Sequence, residues 1–166
     1  IARMGENAFE GTDILFADLV RDVADSMWPL AREKGIHINV QDNSDQAFVF
    51  AEPDSLSRAL SNLLDNAIKF SPKDGTITAI LNRSQVGEMP SISVSIEDEG
   101  DGIDPEIAPR LFERFVSNRS DSARVKGIGL GLAFVRAVAE KHQGHVSAEN
   151  RNEGGARFIL SLPEAP

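Results

Sequence analysis

Apolar residues recur at helical spacing through the stretch DSLSRALSNLLDNAIKF: Leu56, Leu60, Leu63, Leu64 and Ala67 share one face of a predicted helix, Asp54–Phe70. Pro53 and Asp54 stand at its start, and Ser71-Pro72 stops it. The spacing predicts a second long helix, capped by Asp13 and running through Lys34, with Ile14, Leu15, Leu19, Val23 and Met27 as its buried stripe. Pro29 would kink that helix and Gly35 would end it. Alternating or short apolar runs predict strands at Ile36–Val40, Ala47–Ala51, Thr76–Arg83, Ser91–Asp98, His145–Arg151 and Arg157–Leu162. Polar turns are expected at Gln41–Gln46 and Ser84–Pro90, and further helices at Pro105–Phe115 and Leu130–Gln143. In Ser91–Asp98, Ile92, Val94 and Ile96 fall on one face, so the sheet is expected to be covered on a single side. One helix followed by two strands, repeated, is not the strict alternation of a doubly wound sheet. The pattern predicts a two-layer α/β (α+β) sandwich with a mixed, mostly antiparallel sheet and helices on one face. Residues 1–12 have weak helical spacing and read as a linker or the end of an upstream helix; residues 13–166 read as the domain proper.

Composition narrows this little. The 166 residues, 41% hydrophobic and 26% charged, suit one soluble globular domain. No apolar run reaches bilayer length and no secretory signal opens the chain, although a first residue of Ile1 fits a piece of a longer protein whose other part could hold a membrane segment. The lack of cysteine removes disulfides and thiolate metal sites, in keeping with a reducing compartment. A net charge of −9 argues against nucleic-acid binding, which needs a basic footprint. It leaves room for a phosphate ligand held by a cation and a few local donors.

Four stretches carry candidate chemistry. Asn62, Asn66 and Lys69 line one stripe of the Asp54–Phe70 helix, where two carboxamides and an ammonium could meet a cation and phosphate oxygens; a solvated outer face is the plain alternative. Asp98-Glu99-Gly100-Asp101-Gly102-Ile103 ends a strand in a carboxylate, which can accept a hydrogen bond from an exocyclic amine, and follows it with glycines that let backbone approach a flat ring; it also fits an ordinary turn. Lys126-Gly127-Ile128-Gly129-Leu130-Gly131-Leu132 opens a helix, and free amides at a helix start favour phosphate. It is neither a Walker A loop nor the dinucleotide fingerprint. Between them, Ser117–Val125 is polar and locally basic through Arg119, Arg124 and Lys126, as a phosphate-facing lid or a plain surface loop would be.

In succession, NLLDNAIKF, DEGDGI, LFERF and GIGLGL closely resemble the N, G1, F and G2 boxes of the ATP-binding domain of sensor histidine kinases, and Gly154-Gly155-Ala156-Arg157-Phe158 resembles that family's later glycine motif. The resemblance implies the α/β sandwich shared with gyrase, chaperone and mismatch-repair ATPases, and it covers nearly the whole of 13–166. It implies that Asn66 ligates Mg²⁺, that Asn62 supports the metal's water shell or a phosphate, and that Lys69 contacts phosphate oxygens. Asp98 would receive the adenine amine, with Gly100, Gly102 and Ile103 shaping the base pocket. Gly127, Gly129 and Gly131 would form a lid hinge, the Leu130–Leu132 amides would face the phosphates, and Phe112 and Phe115 would anchor the lid. ATP and Mg²⁺ are the implied ligands. The implied partners are an upstream dimerisation and histidine phosphotransfer domain of the same protein and a response regulator receiver domain, with a cytoplasmic location and a full-length protein that could be anchored in the inner membrane. Where many relatives carry an aromatic residue and an arginine after the F box, Val116 and Ser117 stand here; Arg119 is the candidate replacement. His37, His142 and His145 lack the surroundings of a phosphoacceptor, so the acceptor is expected upstream of Ile1. Relatives that split ATP with water place a glutamate where Asn62 stands, so the chain itself is expected to hydrolyse little ATP. An anti-sigma-type serine kinase and a catalytically degenerate nucleotide-sensing module are the alternative readings.

Overall fold

A computed structural model of the chain describes residues 9–113 and 130–166. Two sheets and four α-helices make up the described part: β1 (Thr12–Leu15), α1 (Phe16–Ser26), α2 (Trp28–Glu33), β2 (His37–Asp42), β3 (Phe48–Ala51), α3 (Pro53–Phe70), β4 (Thr76–Val86), β5 (Met89–Glu97), a 3₁₀ turn (Ala108–Arg110), α4 (Leu130–Lys141), β6 (His145–Asn150) and β7 (Ala156–Pro163).

The main sheet runs β2-β4-β5-β7-β6; β2 and β4 are parallel and every other pair is antiparallel. One face is apolar and closed. Ile77, Ala79 and Leu81 of β4, Ile92, Val94 and Ile96 of β5, and Phe158, Leu160 and Leu162 of β7 are buried in one cluster with Phe16 and Val20 of α1, Leu56, Leu60, Leu63, Leu64 and Ala67 of α3, and Val135 and Ala139 of α4. The other face carries half-exposed Ser93, Ser95, Glu97 and Arg157. This is the two-layer sandwich the alternation predicts, with the helices on one side. A separate two-stranded sheet pairs β1 with β3, from Thr12 opposite Ala51 to Leu15 opposite Phe48.

Three expectations differ from the structure. The helix expected from Asp13 to Lys34 is a strand followed by two helices. Asp13 pairs with Phe50 in β1 rather than capping anything, α1 starts at Phe16, and the chain bends at buried Met27. Pro29 stands in the first turn of α2, where its missing N–H costs nothing; as a continuation of α1 its ring would have clashed with the carbonyl of Asp25. The polar stretch Ser84–Pro90 is mostly ladder: β4 and β5 stay paired to Val86 opposite Met89 and turn only at Gly87-Glu88. This end of the hairpin is exposed, so no apolar alternation marks it. Within the described part of Pro105–Phe115 only the 3₁₀ turn at Ala108–Arg110 forms, because Pro109 removes an amide and the Asp104 side chain takes the Glu106 amide instead.

Candidate functional site

α3 supplies the first wall. Its leucine stripe faces the sheet, which leaves Asn62 and Asn66 half-buried along the flank. Asn62 Nδ2 donates to the carbonyl of Gly131, in the first turn of α4, at 3.3 Å. A Cβ added to Gly131 would lie 3.8 Å from Asn62 Cγ, so the two helices meet side chain against bare backbone. Lys69 behaves differently from the other two. Its ammonium pairs with Asp65 Oδ2 at 3.1 Å on the exposed side of the helix. Such an exposed i,i+4 pair contributes only about 0.3–0.5 kcal/mol, little enough to yield to a phosphate. The C-terminus of α3 is held from outside: Lys34 Nζ, just past α2, donates to the carbonyls of Ile68 and Lys69 at 2.9 Å each. Sequence reading missed Lys34, because its partner carbonyls carry no side-chain signature.

The second wall is the loop after β5. Asp98 is 2% exposed. Its Oδ1 accepts the amide of Gly100 at 2.9 Å and that of Ala156 at 3.1 Å, which fixes the plane of the carboxylate. Gly100 lies against the end of α3, where an added Cβ would come 2.2 Å from the Phe70 carbonyl oxygen. No side chain fits there, so the acidic loop and the asparagine-bearing helix are in backbone contact. Ile103, at the end of the loop, is buried. Thus the loop from Asp98 to Ile103 and the first turn of α4 both lie against α3, the loop at Phe70 and α4 at Asn62.

A third element was not anticipated. The turn between β6 and β7 grips the acidic loop. Asn150 Oδ1 accepts the Ile103 amide at 2.6 Å and Asn150 Nδ2 donates to the Ile103 carbonyl at 3.2 Å. Arg151 Nη1 donates to the Asp98 carbonyl at 2.6 Å. Arg151 Nε is buried without a hydrogen bond and lies 3.6 Å from Glu97 Oε1. Glu97 also accepts from Arg157 Nε at 2.8 Å, and this bond, with a second that Arg157 Nη1 donates to Glu149, holds the Arg157 guanidinium protonated more firmly than usual. Gly155 has φ +86°, and a Cβ there would sit 2.0 Å from the Asp98 carbonyl oxygen. The Gly154-Gly155 pair was the sequence signal for this turn; Asn150 looks like any polar strand end.

Phe112 is half-buried and meets Phe158 edge-on, ring centroids 6.2 Å apart. Leu132 is buried in the core, and Leu130 opens α4. Phe115, Arg119, Lys126, Gly127 and Gly129 lie outside the described residues. Of the histidines, His142 is buried with its Nε2 accepting the Glu52 amide at 3.1 Å and its Nδ1 2.8 Å from the Val138 carbonyl, while His37 and His145 are exposed.

Among the described residues no group of three His, Cys, Asp or Glu side chains could hold a metal ion. The donors on hand at the α3 flank are carboxamide oxygens, which suit a hard cation that takes most of its ligands from water and phosphate. Magnesium bound together with a polyphosphate fits that donor set.

A family model described as histidine kinase-, DNA gyrase B-, and HSP90-like ATPase matches residues 51–166. The sensor histidine kinase CusS of Escherichia coli O157:H7 is 38% identical over 151 residues, covering 89% of this chain and 30% of that protein. The catalytic domain of histidine kinase ThkA superimposes with a TM-score of 0.80 at 25% identity, over 93% of this chain and 96% of that one. The structure of full-length ShkA in complex with AMPPNP gives a TM-score of 0.77 at 32% identity, over 99% of this chain and 34% of that one. The chain spans 9%, 14% and 30% of the lengths of three curated relatives.

Proposed function

We propose that this chain, which belongs to the histidine kinase-, DNA gyrase B- and HSP90-like ATPase family as an ATP-binding catalytic domain of the sensor histidine kinase kind, positions Mg²⁺-ATP for transfer of its γ-phosphoryl group to a histidine on another domain. The observation that carries this reading is that the acidic loop and the start of α4 both lie against α3. The Asn62 carboxamide touches Gly131 of α4, and Gly100 lies on the last carbonyl of α3, so a ligand bound by one wall is within reach of the others.

Each role follows from the chemistry of the group. The Asp98 carboxylate, oriented by two amides, accepts the exocyclic amine of adenine. Gly100, Gly102 and Ile103 give the base a backbone-lined seat. Asn62, Lys69 and the α4 amides at Leu130, Gly131 and Leu132 meet the phosphates, where a helix start carries partial positive charge. Phe115, Arg119, Lys126, Gly127 and Gly129 are the further residues that the family resemblance assigns to the nucleotide or its lid. Asn66 is the ligand for magnesium, which when bound offsets phosphate charge. Phosphoryl transfer asks mainly for position and charge compensation, and an incoming neutral imidazole needs no general base from this domain.

The acceptor histidine belongs to an upstream dimerisation and phosphotransfer domain, joined through residues 1–12, and the phosphoryl group passes on to a response regulator receiver domain. The domain then works on the cytoplasmic side. No helix among the described residues is long and apolar enough to cross a membrane.

Calorimetric titration with a non-hydrolysable ATP analogue, with and without Mg²⁺, tests the reading. Saturable binding that Mg²⁺ strengthens is expected; absence of binding in both conditions overturns it. Transfer from labelled ATP to an added acceptor domain should give an acid-labile product. An acid-stable product would point to serine instead.

A further inference from the structure

We propose that Asn150 and Arg151 are positioning residues that set nucleobase affinity and selectivity by fixing the Asp98–Ile103 loop from behind. The inference rests on the reading that this loop seats the base.

The loop needs an external support. It leaves the sheet at Asp98, contains two glycines, and turns through φ +88° at Gly102. Glycines free to adopt many conformations give a seat of low preorganisation, and a ligand would have to order it on binding. The β6–β7 turn supplies the order. Asn150 reads both backbone groups of Ile103, its carboxamide pairing with the peptide as a neighbouring strand would. Arg151 fixes the Asp98 carbonyl, and so the peptide from which the carboxylate springs. A Cβ on Gly102 would stand 2.7 Å from Asn150 Oδ1, so the clamp closes directly on the turn of the loop. Together the two residues hold the loop at both ends, at Asp98 and at Ile103.

Arg151 is suited to this beyond plain packing. Its side chain is mostly buried, with Nε unbonded 3.6 Å from the Glu97 carboxylate. The guanidinium is held in position by that charge while its other arm meets the loop. A strand-end arginine serving only the sheet surface would resemble Arg157, whose bonds go to two carboxylates.

Because neither residue is assigned to the nucleotide, their effect should fall on the base and not on the phosphates. The test compares Asn150→Asp, Asn150→Ala, Arg151→Met and Arg151→Lys with the parent chain and with Asp98→Ala. Three ligands are titrated: a non-hydrolysable ATP analogue, its guanine counterpart, and inorganic tripolyphosphate. Asn150→Asp retains shape and the acceptor but sets a second carboxylate oxygen against the Ile103 carbonyl. We expect Asn150→Asp and Arg151→Met to weaken the adenine analogue by about five- to tenfold, as loss of one or two hydrogen bonds implies. The preference for adenine over guanine should narrow, tripolyphosphate binding should hold, and Arg151→Lys should recover part of the loss. Unchanged adenine affinity and base preference in both variants overturns the proposal, and so does an equal loss for all three ligands. Asn150→Ser, which keeps one acceptor for the Ile103 amide, replaces any Asn150 variant that does not fold, and an affinity for the adenine analogue equal to the parent's in that variant counts against the clamp. If Asp98→Ala binds as the parent does, the base-seat reading itself is wrong; if it alone loses affinity, only this inference is.

Discussion

Asp98 shows how a carboxyl group can be buried and still be hydrogen-bonded. Desolvating a carboxylate is unfavourable unless hydrogen bonds replace water, and here two backbone amides do so at one oxygen. The same bonds fix the orientation of the carboxylate. A hydrogen bond to a charged group is worth roughly 1.5–3 kcal/mol. Asp98→Ala should therefore lower affinity for an ATP analogue by about tenfold or more, and calorimetric titration reads this directly. Gly100 is constrained by contact, not by ligand chemistry. With the Phe70 carbonyl 2.2 Å from a would-be Cβ, Gly100→Ala must push the loop off α3. A stability loss of about 1–3 kcal/mol is expected in thermal denaturation, together with weaker nucleotide binding. Asp98 and Gly100 are prominent in the sequence because a carboxylate at a strand end and a glycine beside it are distinctive residue types. Their supports, Asn150, Arg151 and Lys34, are not: each acts on a backbone carbonyl or amide that is distant in the chain and of no particular residue type.

Among the elements, α3 was the most readable and α1–α2 the least. The leucine stripe of α3 has a long period that no other arrangement satisfies, and its observed bounds, Pro53–Phe70, extend the expected ones by a single residue. In 13–34 the apolar spacing is just as helical, but Asp13–Leu15 is drawn into pairing with β3 and Pro29 falls in the first turn of a new helix. Ladder hydrogen bonds to a strand beginning at Phe48 are invisible in the periodicity of the first segment. α3 also depends on a residue outside it. Lys34→Met would leave the Ile68 and Lys69 carbonyls without their ammonium donor. A loss near 1 kcal/mol, or about 2–4 °C in melting temperature, is expected by circular dichroism. Since Asn66 and Lys69 lie in the same last turns, weaker phosphate binding should accompany it.

At the scale of the whole molecule, the start of α3 is tied to the segment before β1 and to the end of α4. Glu52 accepts Lys141 at the end of α4 at 2.9 Å and the Glu10 amide at 2.9 Å, and the Lys141 bond first, then the amide, hold its carboxyl below the ordinary glutamate range. A folded pKa below the unfolded one means stability that is present at neutral pH and lost as pH falls through the folded value. Glu52→Gln should melt below the parent at pH 7, with the gap closing as pH falls below the ordinary glutamate value of about 4.3 and through the lower folded one. A gap that persists unchanged at pH 3 would show that charge is not the cause. The assembled site also bears on turnover. Asn62 faces Gly131 with a carboxamide, which takes no proton from water at neutral pH. Phosphate release from ATP by the chain alone is expected to stay near background and to be insensitive to Asn62→Ala; robust, Asn62-dependent release would remove the kinase reading.

The sequence by itself determined the layer arrangement and the family, because apolar periodicity and the order of rare residue types are properties a chain carries locally. Only the tertiary structure decided where helices break, that Lys69 rests on Asp65, and that a turn some fifty residues downstream grips the acidic loop at Asp98 and Ile103. Those outcomes depend on backbone groups meeting across the fold, and every residue offers the same amide and carbonyl until the folded chain selects which of them come within hydrogen-bond reach.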